Sequence, residues 1–229
     1  DVTGTDHVIQ NCQIAFCGLG GIAMNGGDKT MLTPGNNRVE NNRIHDVDLL
    51  KSSYSASVSV DGVGNVISHN EIYNTKHYAI YFTGVENVIE YNNIHHACTN
   101  AADMGAIYTG RHYDDHGVVI RYNHFSNIGN PLSRRYFPCA IFTDDGSSDL
   151  DIYGNVFGTG MNNVETIKVH GGQNNNVYHN LFIDTPTVMY SADWSDDQWR
   201  ASLSDTEGKT YSADQYWQRF DSVRNNPLY

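Results

Sequence analysis

Apolar and polar residues alternate in short runs along most of the chain, and many of these runs end at Gly or Asn. A motif of the form Val/Ile-x-x-Asn-x-Ile/Phe recurs as VENNRI, ISHNEI, IEYNNI, IRYNHF, IYGNVF and VYHNLF. Alternation with a period of two residues, broken by turn-forming residues, predicts short β-strands joined by tight corners. The chain is therefore expected to be all-β.

The shared asparagine of this motif defines a repeat. It is Asn42, Asn70, Asn92, Asn123, Asn155 and Asn180, at intervals of 28, 22, 31, 32 and 25 residues. An earlier copy, IQNCQI, has Cys12 in the same place. Repeats of this length, whose strands cannot form a sheet alone, stack as a solenoid. We predict a right-handed parallel β-helix over residues 1–192, of roughly seven coils, one for each copy, with the asparagines in a ladder of amide hydrogen bonds.

A second strand of each coil is marked by a phrase that recurs with different endings. It reads AIYFTG at Ala79–Gly84, AIYTGR at Ala106–Arg111 and AIFTDD at Ala140–Asp145. Alternation along these strands predicts two inward columns. The first is Ile22, Val58, Ile80, Ile107, Ile141, Ile167 and Val188, and the second is Met24, Val60, Phe82, Thr109, Thr143, Val169 and Tyr190.

Two outward columns carry the aromatic and charged side chains. They are Ala23, Ser59, Tyr81, Tyr108, Phe142, Lys168 and Met189, and Asn25, Asp61, Thr83, Gly110, Asp144, His170 and Ser191. Tyr81, Tyr108 and Phe142 are expected to expose flat apolar area, on which the C–H face of a sugar can pack. The alternative is that these rings only stack on one another between coils.

Charged side chains gather around the aromatic column. They are Asp103, Arg111, Asp144, Asp145 and His170, with Lys76 and Lys168 at the margins. Neighbouring coils are expected to bring Arg111, the aspartate pair and His170 together, where Arg and His can tune the pKa of a carboxyl. For Asp145, which precedes Gly146, the alternative is an Asx turn that ends the strand.

Composition and charge narrow the class of partner. The formal net charge is −12 at pH 7, which argues against nucleic acid and against a polyanion held in a basic groove. No apolar stretch is long enough to span a membrane. Cys12, Cys17, Cys98 and Cys139 are interpreted either as buried thiols or as including a Cys98–Cys139 disulfide between neighbouring repeats.

The segments DMGAIYTGR, TDDG and KVHGGQNN resemble right-handed parallel β-helix (pectate-lyase-like) carbohydrate-active enzymes. The similarity is closest to glycoside hydrolases of the fucosidase and xylanase type and runs from about Val39 to Asp184. It implies two catalytic carboxylates on successive coils, which by the matching segments are Asp103 and Asp144. One would be protonated to assist the leaving oxygen and the other ionised. Because Asp103 precedes its strand and Asp144 ends the next one, the pairing requires a bend between them.

The resemblance and the residue pattern together give a set of expected roles. We expect catalytic contributions from Asp103, Asp144, Asp145 and His170, and substrate contacts from Tyr81, Tyr108, Arg111, Phe142 and Lys168. The expected reaction is hydrolysis of a polysaccharide or oligosaccharide without a cofactor. An enzyme with such a substrate is expected to be secreted or periplasmic.

Two other functions stay open at this point. The first is a polysaccharide lyase that uses Lys76, Arg111 or Lys168 as its base, with calcium held by Asp114, Asp115 or the Asp144 pair. The second is a non-catalytic carbohydrate-binding or structural β-helix. The segment HYDDH at His112–His116 offers metal-ligating residue types without a specific spacing, which favours a solvated loop.

The repeat ends after Tyr190, and residues 193–229 have a different pattern. They contain Ser/Asp helix caps, an apolar spacing compatible with one or two helices, and Trp194, Trp199 and Trp217. Because a solenoid must cover its last coil, we predict that this segment caps the C-terminal end. Trp194 is a further candidate for the substrate site.

Overall fold

The computed structural model describes residues 1–100, 102–129, 138–161 and 165–204. Within these residues the chain winds through three parallel β-sheets, which we call A, B and C in the order that the chain visits them. Sheet A has nine strands, and sheets B and C have seven each. The prediction of a parallel β-helix is confirmed.

The strands of sheet A that pair in parallel are Val2–Thr3, Ile22–Asp28, Ala56–Gly62, Tyr78–Phe82, Gly105–Gly110, Cys139–Asp144, Glu165–His170 and Thr187–Ala192. The short strand Thr33–Pro34 pairs antiparallel with Ile22–Asp28. Sheet B consists of Val8–Gln10, Arg38–Glu40, Val66–Ser68, Val88–Glu90, Val118–Arg121, Leu150–Tyr153 and Asn176–Tyr178. Sheet C consists of Gln13–Ala15, Arg43–His45, Glu71–Tyr73, Asn93–Ala97, His124–Ile128, Val156–Phe157 and Leu181–Phe182. One A, one B and one C strand make a coil, and we number the seven coils from the N-terminus.

The core lies between the three sheets and is filled by the inward columns. Ile80, Ile107 and Ile141 are fully buried and face one another in successive coils. On sheet C, the rings of Phe125 and Phe157 stack with their centroids 5.0 Å apart. Each buried side chain of this size contributes about 2 kcal/mol of hydrophobic stabilisation. The alternating pattern therefore determines which face of each strand is covered.

The asparagine ladder forms at the corner between sheets B and C, as predicted. From Asn42 to Asn180, each Nδ2 donates to Oδ1 of the next asparagine at 3.0 Å. The same oxygen accepts the backbone N–H of the preceding asparagine. The corner residue before each ladder position has a positive φ, a conformation that costs most non-glycine residues free energy. The ladder satisfies the polar groups that this sharp corner would otherwise leave buried without partners.

A second ladder was missed by the sequence reasoning. At the corner between sheets A and B, Asn37 donates to Asn65 at 3.0 Å, and Asn65 donates to Asn87 at 3.2 Å. Each of these asparagines precedes a member of the first ladder by five residues. The spacing Asn-x-x-x-x-Asn was therefore a usable signal.

The last strand of sheet A, Thr187–Ala192, differs from the predicted register by one residue. Met189, not Val188, pairs with Ile167, and Tyr190 pairs with Lys168, so the predicted inward positions of Val188 and Tyr190 are wrong. A shift of one residue moves every side chain of a strand to the opposite face. Since Val188, Met189 and Tyr190 are all apolar or aromatic, their pattern carries no alternation, and pairing with the neighbouring strand decides the register.

The four cysteines are thiols, so of the two interpretations of Cys98 and Cys139 the disulfide is wrong and the buried thiols are confirmed. Cys98 and Cys139 are both buried. Burial raises the pKa of the Cys98 thiol, which keeps it in the unreactive protonated form. These two side chains therefore serve as small core residues.

The start of the predicted capping segment is helical. Helix Asp196–Ser204 begins after Ser195, whose backbone N–H donates to Gln198 Oε1 at 2.8 Å while its hydroxyl accepts the N–H of Gln198. This reciprocal pair is a capping box. The remainder of the segment, including Trp217, lies outside the described residues. No helix in the described part of the chain is long and apolar enough to cross a membrane.

Candidate active site

The candidate site lies where strands of sheet A end in the fifth, sixth and seventh coils. Register places Gly110 directly opposite Asp144, and His170 is at the end of the next strand. A cleft of about 680 Å³ runs along the outer face of sheet A towards the N-terminal coils. A smaller cavity of about 370 Å³ lies towards the C-terminal coils. Asp103, Arg111 and Asp144 line both spaces, so these residues stand where the two meet.

Asp144 is held by three hydrogen-bond donors. The Tyr108 hydroxyl donates to Oδ2 at 2.8 Å, and the backbone N–H of Asp145 donates to Oδ1 at 2.8 Å. Nδ1 of His170 lies 2.9 Å from Oδ1. The side chain is only 14% exposed. Because both oxygens accept hydrogen bonds, the carboxylate has a fixed orientation at the cleft wall.

Asp145 belongs to the same network and is more than a turn residue. Nε of Arg111 donates to its Oδ2 at 2.6 Å, and His170 Nδ1 lies 3.3 Å from its Oδ1. The charge and hydrogen bond of Asp145 raise the pKa of the Arg111 guanidinium. The strand also turns here, since Asp145 has a φ of 40°. The chain therefore turns at Asp145, while its two carboxylate oxygens contact Arg111 and His170 rather than close an Asx turn.

Asp103 lies in the turn before its strand and lines the cleft from there. Its φ is 47°, in the left-handed region, one residue before Met104 and the strand Gly105–Gly110. Its side chain is 63% exposed and lies 4.0 Å from Nζ of Lys168. Asp103 and Asp144, from successive coils, therefore both line the cleft and the small cavity.

The aromatic column differs from the exposed sugar platform that was expected. Tyr108 stacks on Tyr78 with centroids 4.6 Å apart, and the ring of Tyr81 is nearly parallel to that of Tyr108 at 6.2 Å. Phe142 is buried, with Nζ of Lys168 4.5 Å above its ring. The rings thus pack on one another, which matches the stacking alternative, and the hydroxyl groups of Tyr81 and Tyr108 lie within hydrogen-bond distance of His112 and Asp144. Tyr78, which precedes AIYF, was not picked out from the sequence.

Gly110 opens the cleft beside Asp144. A Cβ at this position would lie 3.0 Å from the Tyr108 hydroxyl oxygen and 3.2 Å from Cβ of Asp144. Any larger side chain would therefore crowd the hydrogen bond between Tyr108 and Asp144. The absence of a side chain leaves room for a ligand at this carboxylate.

A family model for the right-handed β-helix region matches residues 2–157 and 49–199. These two matches together span most of the chain. The chain belongs to the right-handed β-helix family. Neither the curated proteins nor the solved structures gave a match.

This β-helix protein carries a second charged cluster, which sequence reasoning missed. Lys29 Nζ lies 3.2 Å from Asp61 Oδ1 and 3.1 Å from Asp115 Oδ1. Asp61 also accepts the hydroxyl of Thr83 at 2.7 Å. Lys29 comes from the loop after the second strand of sheet A and is 86 residues from Asp115. No local pattern connects positions so far apart.

The predicted solvated loop at His112–His116 is wrong. Tyr113, Asp115 and His116 are buried, and Nε2 of His112 lies 3.3 Å from the Tyr81 hydroxyl. Burial raises the pKa of Asp115 to about 7, although Lys29 and the N–H of Gly84 act in the opposite direction. The loop therefore packs against sheet A and contacts Tyr81, which lines the cleft.

Lys76 lies outside this arrangement. Its Nζ donates to the backbone carbonyl of Asp48 at 2.9 Å, and it lines neither space. Among the three bases considered for a lyase, only Arg111 and Lys168 line the small cavity.

Asp144, Asp145 and His170 form the one group of potential metal ligands in the described part of the chain. Their ligand atoms lie within 4.8 Å of one another. Trp194 Nε1, however, donates to Nε2 of His170 at 3.3 Å. Since an indole N–H only donates, Nε2 must accept, and in the neutral ring the proton is then on Nδ1. A protonated Nδ1 cannot ligate a cation, so His170 does not fit a metal in this arrangement. Calcium binding by the two carboxylates stays a prediction.

Proposed function

We propose that this protein is a glycoside hydrolase that cleaves its substrate where the cleft and the small cavity meet. One observation carries the proposal: Asp103 and Asp144, on successive coils, both line the two spaces, and Asp144 is oriented by three donors. Two carboxyl groups that flank a substrate path are the minimum equipment for glycoside hydrolysis.

The two carboxyl groups differ in their surroundings, and this suggests their roles. Asp144 only accepts hydrogen bonds, so we assign it the ionised role, as a nucleophile or as the base that takes a proton from water. Asp103 is mostly exposed and would give its proton to the oxygen of the departing sugar. The bond between the anomeric carbon and that oxygen breaks, and water supplies the new hydroxyl group. Asp144 and Asp103 are returned to their starting protonation states at the end of the cycle.

The charge balance of the small cavity supports a substrate without carboxylate groups. Its lining carries the carboxylates of Asp144, Asp145 and Glu165 and the cationic groups of Arg111 and Lys168, in addition to Asp103, which is neutral while it holds the proton for the leaving oxygen. Arg111 is paired with Asp145, and Lys168 lies 4.0 Å from Asp103 and 3.7 Å from Glu165. A uronate entering this cavity would meet an excess of negative charge and no unpaired guanidinium or ammonium among its lining residues. We therefore propose a neutral or amine-bearing glycan.

The presence of space on both sides of the carboxyl groups supports cleavage within a chain. The cleft extends past Tyr78 and Tyr81 to Ala23, whereas the small cavity ends near Ala192. We propose that several sugar units occupy the cleft and fewer occupy the small cavity. Such an enzyme would act on extracellular material, so we also propose a secreted or periplasmic location.

The test is an activity screen with three classes of glycan: neutral, amine-bearing and uronate-containing polysaccharides. Hydrolysis predicts new reducing ends from one of the first two classes, in wild-type protein but not in Asp144→Asn protein. A lyase would instead yield unsaturated uronates that absorb ultraviolet light, and it would require added calcium. Glycan binding that persists in Asp144→Asn protein without product from any polysaccharide would support a binding protein and overturn the proposal.

A further inference from the structure

We infer that Trp194 is a positioning residue, whose indole N–H fixes the tautomer of His170 and thereby directs a proton towards Asp144 and Asp145. Trp194 lies in the segment that follows the last strand of sheet A. Its Nε1 is 3.3 Å from Nε2 of His170, and the two rings meet edge-to-face at 5.6 Å and 89°. The tautomer itself does not depend on the proposed function, whereas its consequence for turnover does.

The two rings differ in the hydrogen-bonding groups that they offer. A neutral imidazole has one N–H and one lone pair, whereas an indole has an N–H and no acceptor in its plane. If Nε2 of His170 carried the proton, two N–H groups would face each other at the Trp194 contact. The lone pair of Nδ1 would then face the oxygens of Asp144 and Asp145 at 2.9 and 3.3 Å. With the proton on Nδ1, every one of these contacts joins a donor to an acceptor.

Two glycines allow the capping segment to approach this closely. Gly171, which follows His170, has a φ of 75°, and a Cβ there would overlap the Trp194 ring. Gly146, which follows Asp145, has a φ of 83°, and a Cβ there would lie 2.9 Å from Trp199. Both residues directly follow members of the carboxylate network. The backbone at these positions is therefore shaped to receive the two indole rings.

The tryptophans also brace each other. Trp194 and Trp199 meet edge-to-face at 5.0 Å, and Trp199 contacts Tyr113 at 6.0 Å. Trp199 lies in the helix Asp196–Ser204, so the helix holds Trp194 against His170. The segment predicted to cap the solenoid thus also supplies a hydrogen-bond donor to His170.

The experiment is nitrogen NMR of ¹⁵N-labelled histidine side chains in the full chain. His170→Gln identifies the resonances of His170 by their loss. In wild-type protein we expect Nδ1 to show a protonated and Nε2 an unprotonated nitrogen shift, at a pH where the ring is neutral. Trp194→Phe keeps the aromatic ring and removes the N–H, so the Nδ1–H preference should weaken. Trp199→Phe is the matched control, because phenylalanine keeps an aromatic ring against Trp194 and Trp199 makes no hydrogen bond to His170 in the described structure. The tautomer of His170 should therefore be unchanged.

Two results would overturn the inference. One is a wild-type His170 protonated at Nε2, which needs no variant and so is unaffected by any folding defect. The other is a folded Trp194→Phe protein whose His170 shifts equal those of wild type. If the protein hydrolyses a glycan, Trp194→Phe should also lower kcat by about tenfold or more with little change in KM. The reason is that an imidazole without a proton on Nδ1 cannot donate a hydrogen bond to its carboxylate partner. Failure to find any substrate would count against the proposed function and leave the NMR result standing.

Discussion

The hydroxyl group of Tyr108 donates a 2.8 Å hydrogen bond to Oδ2 of Asp144 across two adjacent coils of sheet A. The tyrosine ring is fixed by stacking on Tyr78 and by an edge-to-face contact with Phe142 at 5.5 Å. Burial and the negative charge of Asp144 both raise the pKa of the Tyr108 phenol, so it stays a proton-bearing donor at neutral pH. The pair therefore couples the aromatic cluster to the carboxylate.

Tyr108→Phe is expected to keep the stacking and remove this donor. Asp144 would retain two of its three donors, but its Oδ2 would lose the hydrogen bond that orients it. We therefore expect kcat to fall by about 10- to 100-fold with a small change in KM. Steady-state kinetics on the glycan that the wild type degrades would measure this. Tyr78→Phe is the control, because Tyr78 packs on the same ring and makes no hydrogen bond to Asp144 in the described structure. Equal losses in both variants would argue that only packing matters.

Removal of either carboxylate should stop hydrolysis. Asp144→Asn and Asp103→Asn are each expected to lower kcat by at least about 100-fold. Asp103 is exposed, so its replacement should leave the melting temperature unchanged, whereas Asp144→Asn should cost about 1 kcal/mol through its lost acceptors. Asp151→Asn, on sheet B, is a control for the loss of one negative charge; Asp151 accepts a hydrogen bond from Asn176. Activity that survives in the Asp103 variant would remove Asp103 from the mechanism.

The asparagine ladder should be a major source of stability. Asn92→Ala would remove the partner of the Asn70 backbone N–H and of one of the two Asn70 side-chain N–H groups, together with the Asn92 amide's contact with the Ile67 carbonyl, in a buried corner. We expect a loss of about 2–4 kcal/mol in the free energy of unfolding, measured by urea denaturation. Asn176→Ala removes only an exposed hydrogen bond and should cost less than about 0.5 kcal/mol. Similar costs for the two variants would contradict a structural role for the ladder.

Two buried groups should make stability depend on pH in opposite directions. Burial raises the pKa of Asp115 to about 7 from 3.8, so between these pH values the folded state holds a proton that the unfolded state has released. The contribution of Asp115 therefore falls as pH rises from about 4 to 7. Burial, with a smaller effect of Lys51, lowers the pKa of His77 to about 4 from 6.5. The contribution of His77 therefore rises as pH increases from about 4 to 6.5.

Melting temperatures measured from pH 4 to 8 would separate the two effects. Relative to wild type, Asp115→Asn should gain stability progressively as the pH rises towards 7. His77→Gln should lose less stability than wild type when the pH is lowered below 6.5. Parallel curves for wild type and Asp115→Asn would show that Asp115 keeps an ordinary pKa in the folded protein.

Repeated short-range patterns determined the fold. The motif Val/Ile-x-x-Asn-x-Ile/Phe predicted the coil stacking and the ladder from Asn42 to Asn180, because identical residues satisfy one another only when the coils are in register. The predicted register is wrong at Val188, where the alternation of apolar and polar residues stops. The signal for the second ladder, five residues before the first, was present in the sequence and was overlooked.

The sequence also determined which side chains line the outer face of sheet A, since alternation assigned Tyr108, Asp144 and His170 to it. Only the tertiary structure decided what these side chains contact. Lys29 reaches Asp115 from the loop after its strand, and Trp194 reaches His170 from the segment after the last strand of sheet A. Gly171 leaves the room that the Trp194 ring occupies. Period-two alternation specifies the direction of a side chain in a strand, but it contains no information about a loop. The strands of this site were therefore predictable, whereas the partners that loops bring to it were not.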